Sequence, residues 1–221
     1  MVRNILFISI LIFLALACKK TETPSFHTEY FGLTEGRFVI YDVIDITHDA
    51  QVSQHDTLIY QLKTHWGEEY IDNEGRVCRK FRRFTRGSSI ANWELKDTWY
   101  GLIDGIRGEL VEENQRKVKL VFSPTKEKDW DENAYSTLPI QDCYYDDIHK
   151  TKTIGTTEFD STVVVEKMDE TNALITKRFY EVYAKNIGLV EFYFMDNDYQ
   201  FSAEVYKGKE LYMTYSSSGF E

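Results

Sequence analysis

Proline is scarce in this chain, 3 residues in 221, and cysteine equally so. The first count excludes a collagen-like or proline-rich disordered chain, and the second a disulfide-dense scaffold. The five histidines, His27, His48, His55, His65 and His149, are dispersed, and none forms a zinc-type cluster with a cysteine pair. HExxH, GxSxG and glycine-rich phosphate loops are absent, so metalloprotease, α/β-hydrolase and nucleotide-binding chemistry have no motif to stand on. No cofactor and no metal is expected. Basic residues are in the minority, 26 Lys and Arg against 36 Asp and Glu. That balance opposes nucleic-acid binding, which draws on phosphate neutralisation. A run of about 20 apolar residues, the length that spans a bilayer, is also missing.

What the chain does have begins at Ile5. Ile5 to Ala17 is apolar apart from Ser9 and follows Arg3, which fits the charged start and apolar core, about 7–15 residues long, of a secretory signal. The stretch closes on Leu14-Ala15-Leu16-Ala17-Cys18. This resembles the lipobox of bacterial lipoproteins, with Leu14 or Leu16, Ala15 and Ala17 at its matching positions. The resemblance implies cleavage before Cys18 and a diacylglyceryl group on its thiol, usually with an acylated amine. Each buried CH₂ adds about 0.8 kcal/mol of membrane affinity, so two or three chains anchor where one barely does. Lys19 follows the cysteine, which in that family points to the outer membrane. Glu22 alone is acidic in the next positions, so the periplasmic and surface faces both stay open. Residues 1–17 are thus expected to be a cleaved signal, 18–30 a lipidated tether containing Pro24, and 31–221 a single domain. Losing residues 1–17 removes only Arg3 among the charges, so the domain stays acidic.

From Gly36 onward the apolar residues recur at every second position, which is the strand period. In GRFVIYDVIDI, Phe38, Ile40, Ile44 and Ile46 share a face. In DTLIYQLK, Leu58, Tyr60 and Leu62 do so, and in QRKVKLVF, Val118, Leu120 and Phe122 alternate with Lys117 and Lys119. STVVVEKM, LITKRFYEVYA, GLVEFYFM and YQFSAEVYK continue the series. Turn residues such as Asn73-Glu74-Gly75, Glu113-Asn114 and Asn186-Ile187-Gly188 separate them. The pattern predicts an all-β domain of about ten to twelve antiparallel strands in one strongly curved sheet, a sandwich or a barrel. No long amphipathic helix is expected, 123–135 reads as irregular, and the terminal SSSGFE reads as frayed.

YFGLTEGRFVIYDV, VKLVFSPTKEKDWDENAY and EVYAKNIGLVEF resemble segments of uncharacterised β-rich outer-membrane lipoproteins of the Bacteroidota. The last carries the strand pair Tyr183-Ala184-Lys185-Asn186-Ile187-Gly188-Leu189-Val190. The resemblance covers most of the chain after the signal. It implies a β fold and an envelope address, and no catalytic residue.

Four sets of residues stand out as candidates. RVCRKFRRFTR concentrates Arg79, Arg82 and Arg83 among six basic residues. It reads either as a patch for phosphate groups or an acidic partner, or as a strand whose arginines pair across the sheet. Trp130 and Tyr135, like Trp93, Trp99 and Tyr100, read either as a stacking surface for a partner or as core. Asp129, Asp131, Glu132 and Asn133 form an acidic loop without EF-hand spacing. Cys78 and Cys143, the cysteines left once Cys18 is lipidated, read either as two separate buried thiols or as a bridge, whose expected loop of about 65 residues would be worth on the order of 4 kcal/mol. Together these features predict a non-enzymatic binding or accessory subunit of an outer-membrane assembly. Its expected partners are the membrane, through Cys18, and other outer-membrane proteins. The alternatives are a carrier of lipid or another hydrophobic ligand, which an apolar cavity would favour, and an envelope hydrolase.

Overall fold

The computed structural model describes residues 25–200 and 204–221. The signal segment, Cys18 and most of the expected tether lie outside the described residues. Twelve strands follow in chain order: β1 (Arg37–Asp49), β2 (Gln54–Ile71), β3 (Val77–Arg86), β4 (Glu94–Asp104), β5 (Arg107–Glu112), β6 (Gln115–Val121), β7 (Asp129–Asp131), β8 (Asp142–Ile154), β9 (Thr157–Thr171), β10 (Ile175–Ala184), β11 (Gly188–Asp198) and β12 (Lys207–Phe220). They form one antiparallel sheet in the order β6-β5-β4-β3-β2-β1-β12-β11-β10-β9-β8-β7. The sheet is two six-strand meanders joined at their outermost strands in sequence, β1 and β12, along thirteen register pairs from Arg37↔Phe220 to Asp49↔Lys207.

The two free edges, β6 and β7, come back together. Arg116 bridges Tyr135, and the Val118 N–H donates to the Glu132 carbonyl at 2.8 Å. The sheet is therefore a nearly closed barrel, one of the three forms that the alternating strands left open. Strand alternation puts Val39, Tyr41 and Val43 of β1 into the core. This reverses the face expected from sequence: Ile44 is on the other side and 39% exposed. β-Branched and aromatic residues tolerate either face of a pleated strand, so the Phe38/Ile40/Ile44/Ile46 series was as apolar as the true core series beside it.

One end of the barrel is stoppered by the segment before β1. Thr28–Tyr30 form a single 3₁₀ turn, with Tyr30 1% and Phe31 4% exposed. The Tyr30 hydroxyl shares hydrogen bonds with His149 Nδ1 and Ser161 Oγ, both at 2.6 Å, and the Phe31 ring lies 5.7 Å from that of Trp66. Gly32 makes the approach: at φ +68° it sits so near the Ile187 carbonyl that a Cβ would come within 2.4 Å of that oxygen. The expected tether was drawn to residue 30, whereas Thr28–Tyr30 are ordered as part of the barrel, because aromatic burial outweighs the cost of ordering them. The terminal SSSGFE is also ordered, as part of β12 against β1. Across the outer face, Tyr180, Tyr193 and Tyr212 sit directly opposite one another on β10, β11 and β12, the first two stacked at 5.0 Å, a cross-strand ladder of the kind that stabilises sheets.

Candidate ligand-binding site

The barrel interior holds a partly open cavity of about 270 Å³ that Phe31 helps to line. Its walls are mainly apolar and aromatic, with Leu62, Trp66, Phe81, Trp99, Phe192 and Met213 among them. One wall carries charge. Lys119 of β6, Glu132 just after β7, Lys167 of β9 and Glu181 of β10 form a closed quartet. Lys119 Nζ lies 2.7 Å from both Glu132 Oε1 and Glu181 Oε1, and Lys167 Nζ lies 2.8 Å and 2.9 Å from the same two atoms. The Tyr183 hydroxyl donates to Glu181 Oε2 at 2.6 Å, and Lys167 Nζ stands 4.5 Å over the Phe179 ring. All four charged groups are buried, so their electrostatics are strong.

Burial alone would push the two carboxyls up. Lys119 and Lys167 outweigh it and hold both Glu132 and Glu181 below the usual carboxylate range. Burial would likewise lower the Lys119 ammonium, but Glu132 and Glu181 keep it well above its ordinary value. Tyr183, buried beside Glu181, is pushed far up. Lys119, Glu132 and Glu181 are thereby held in their charged forms at neutral pH. Because the quartet's members come from β6, from the end of β7 and from β9 and β10, it also clasps the seam where the sheet closes.

The remaining charges on the cavity wall are paired as well. Arg83 makes a two-pronged pair with Asp97 at 2.7 and 2.6 Å and lies 3.4 Å from the centre of the Trp99 ring. Lys117 Nζ meets Glu112 at 3.0 Å.

The residues singled out from sequence are not gathered into one patch. Arg79 is buried and donates to Glu35 and the Gly67 carbonyl at 2.9 Å, and pairs with Glu69. Arg82 pairs with Glu68 at 2.7 Å, and Arg83 lines the cavity. The basic stripe is thus neutralised by acidic neighbours, several of them across the sheet. Trp130 packs on Tyr145 with ring centres 5.0 Å apart and donates from Nε1 to the Val118 carbonyl at 2.9 Å. Tyr135 lies on the outside between Arg107 and Arg116, whose guanidinium carbons are 4.9 and 4.5 Å from its ring centre. In the acidic loop, Asp131 Oδ1 accepts the Asn133 and Gln141 N–H groups at 2.8 and 2.9 Å. Among the described residues no group of three His, Cys, Asp or Glu side chains could hold a metal ion.

The expected Cys78–Cys143 bridge is not formed. Both are free, buried thiols. Cys78 lies on β3 and contacts Asp72 at 3.6 Å, whereas Cys143 lies on β8 and contacts the Gln141 carbonyl at 3.6 Å. Neither strand pairs with the other, and burial pushes the thiols up to about 11 and about 12.

The quartet escaped the sequence reading. From sequence, Lys119 stands out only as one half of an alternation and Glu132 only as part of an acidic loop, while Lys167 and Glu181 are not singled out at all. The usable signal was that Glu181 falls on the same strand face as Phe179 and Tyr183, a charge in a core register.

No family model matches the chain, and no curated protein matches it. Among solved structures, a crystal structure of a candidate lipoprotein from Parabacteroides distasonis aligns with 86% of this chain and 98% of its own, at 13% identity and a TM-score of 0.41.

Proposed function

We propose that this chain is a non-enzymatic, lipid-anchored envelope protein whose barrel interior binds a small hydrophobic ligand. The observation that carries the reading is the cavity of about 270 Å³ with aromatic walls between Trp66, Phe81 and Trp99. Concave, largely apolar sites with a few placed polar groups are the usual form of a small-molecule site. Anchorage through Cys18 would hold the barrel close to a membrane, and the lipobox resemblance favours the outer membrane. The test is native mass spectrometry of the full chain in a mild detergent with the uncharged probe N-phenyl-1-naphthylamine. The expected result is a one-to-one adduct in the native chain, lost in Leu211→Trp, which fills the cavity. A native chain without the adduct, or a variant that keeps it at equal occupancy, overturns the reading.

A second reading, an accessory subunit bound to other outer-membrane proteins, draws on exposed apolar residues. Leu58 (62% exposed) of β2 faces a surface hollow shared with the β3–β4 loop, and Ile90 (95%) and Leu95 (58%) stand on that loop and at the start of β4. Photocrosslinking from position 90 in intact cells tests it. A discrete partner band lost in Leu58→Ser supports the subunit reading, and its absence refutes it.

A further inference from the structure

We propose that the ligand of this cavity is uncharged, with an apolar body ending in a single hydroxyl or amide group that is held by Lys119 and Glu132. The inference rests on the binding reading above and names the class of molecule.

The first argument is charge balance. Each charged side chain that lines the cavity already has a counter-charge: Lys119 with Glu132 and Glu181, which also hold Lys167 behind the lining, Arg83 with Asp97 outside the lining, and Lys117 with Glu112. An ionic head group would leave water to enter a low-dielectric interior that offers it no unpaired counter-charge, which is unfavourable. The lysine-rich look of the wall is misleading on this point, because none of that charge is unspent.

The second argument is hydrogen-bonding capacity. An ammonium has three protons to donate, and Lys119 uses two of them, one on each glutamate. Glu132 Oε1 takes both lysines, while Oε2 receives no hydrogen bond from the described residues. Lys119 and Glu132 both line the cavity. The wall therefore presents one donor beside one acceptor. A hydroxyl or a primary amide supplies both complements at once. A bare hydrocarbon supplies neither, a carboxylate is repelled by Oε2, and a quaternary ammonium is repelled by Lys119 and has no proton for Oε2.

The test is a series of equal chain length offered to the full chain at pH 8 and read by native mass spectrometry: decan-1-ol, decanamide, decanoate, decyltrimethylammonium and decane. The alcohol and the amide are expected to bind at least tenfold tighter than either ion and than the alkane. Decanoate or the ammonium binding as tightly as the alcohol overturns the proposal, as does loss of discrimination across the series. If N-phenyl-1-naphthylamine binds but none of the five competes with it, the cavity reading stands and this one falls. If the probe does not bind either, both fall. Glu132→Gln adds an independent arm, since it leaves the wall one charge positive. It should raise decanoate affinity at least tenfold relative to decan-1-ol, and an unchanged ratio counts against the assignment. The series on the native chain decides the matter by itself should that variant fold poorly.

Discussion

Replacing Glu132 by Gln is the sharpest perturbation of the fold. The substitution keeps shape and removes one of the two carboxylates that bridge Lys119 and Lys167. It leaves two ammoniums in the interior against the single charge of Glu181. Removing one member of a buried ionic network costs about 3–5 kcal/mol, because the orphaned charge stays behind. With a urea m-value of about 3 kcal/mol per M for a domain of this size, the midpoint should fall by on the order of 1–1.7 M. Lys119→Met alone should be comparably harmful, for the opposite sign of charge. The double variant restores balance, leaving Lys167 against Glu181, so its loss should be smaller than the sum of the two singles by about 2 kcal/mol or more. The acid limb supplies a second check. The folded carboxyl of Glu132 lies below its unfolded value of about 4.3. Its contribution is therefore fully present above that pH and is lost as pH falls through the folded value. The gap between native chain and E132Q should be constant from pH 8 to about 5 and narrow below about 4.3. A midpoint within 0.3 M of native, or additive single losses, would refute the reasoning.

Three further outcomes follow from the packing. Thiol alkylation without reductant should leave Cys78 and Cys143 unmodified in the folded chain and modify both after unfolding, since burial keeps both thiols protonated; protection that persists in denaturant and yields only to reductant would mean they are bridged after all. Gly101→Ala places a Cβ 2.6 Å from the Trp66 ring, so it should destabilise by about 1–3 kcal/mol in urea titration, and an unchanged midpoint would show that Trp66 can move. Burial raises the folded value of the Glu191 carboxyl, and its Oε2 has no hydrogen-bond partner, so its contribution is favourable at low pH and is lost as pH rises through that value. Glu191→Gln should accordingly raise the midpoint at pH 7 and leave it unchanged at pH 4, and the reverse pattern would contradict the assignment.

The all-β class, the strand count and the single curved sheet were legible because period-two alternation is a local property, written into each segment independently. The inward face of β1 was not, because both of its faces are apolar and only its neighbours β2 and β12 choose between them. The site was hidden for a related reason. Lys119, Glu132, Lys167 and Glu181 are spread over 63 positions of sequence and meet only through the closure of β6 onto β7. A lysine alternating with valine looks the same whether its face meets water or a carboxylate on another strand. The Cys78–Cys143 expectation failed on topology too, since counting cysteines cannot tell which strands are neighbours.

The pairing of β1 with β12 also sets an order of assembly. Every other neighbouring pair joins strands adjacent in sequence, so both meanders can form from local hairpins as the chain emerges. β1 and β12 are the exception, with more than 150 residues between them. During N-to-C synthesis, one flank of β1 stays an open edge until β12 has been made, and open edges invite pairing with other chains. Truncation before Lys207 would therefore not trim a margin. It would split the barrel wall opposite the seam, exposing β1 and β11 together and leaving two half-sheets joined only along the seam.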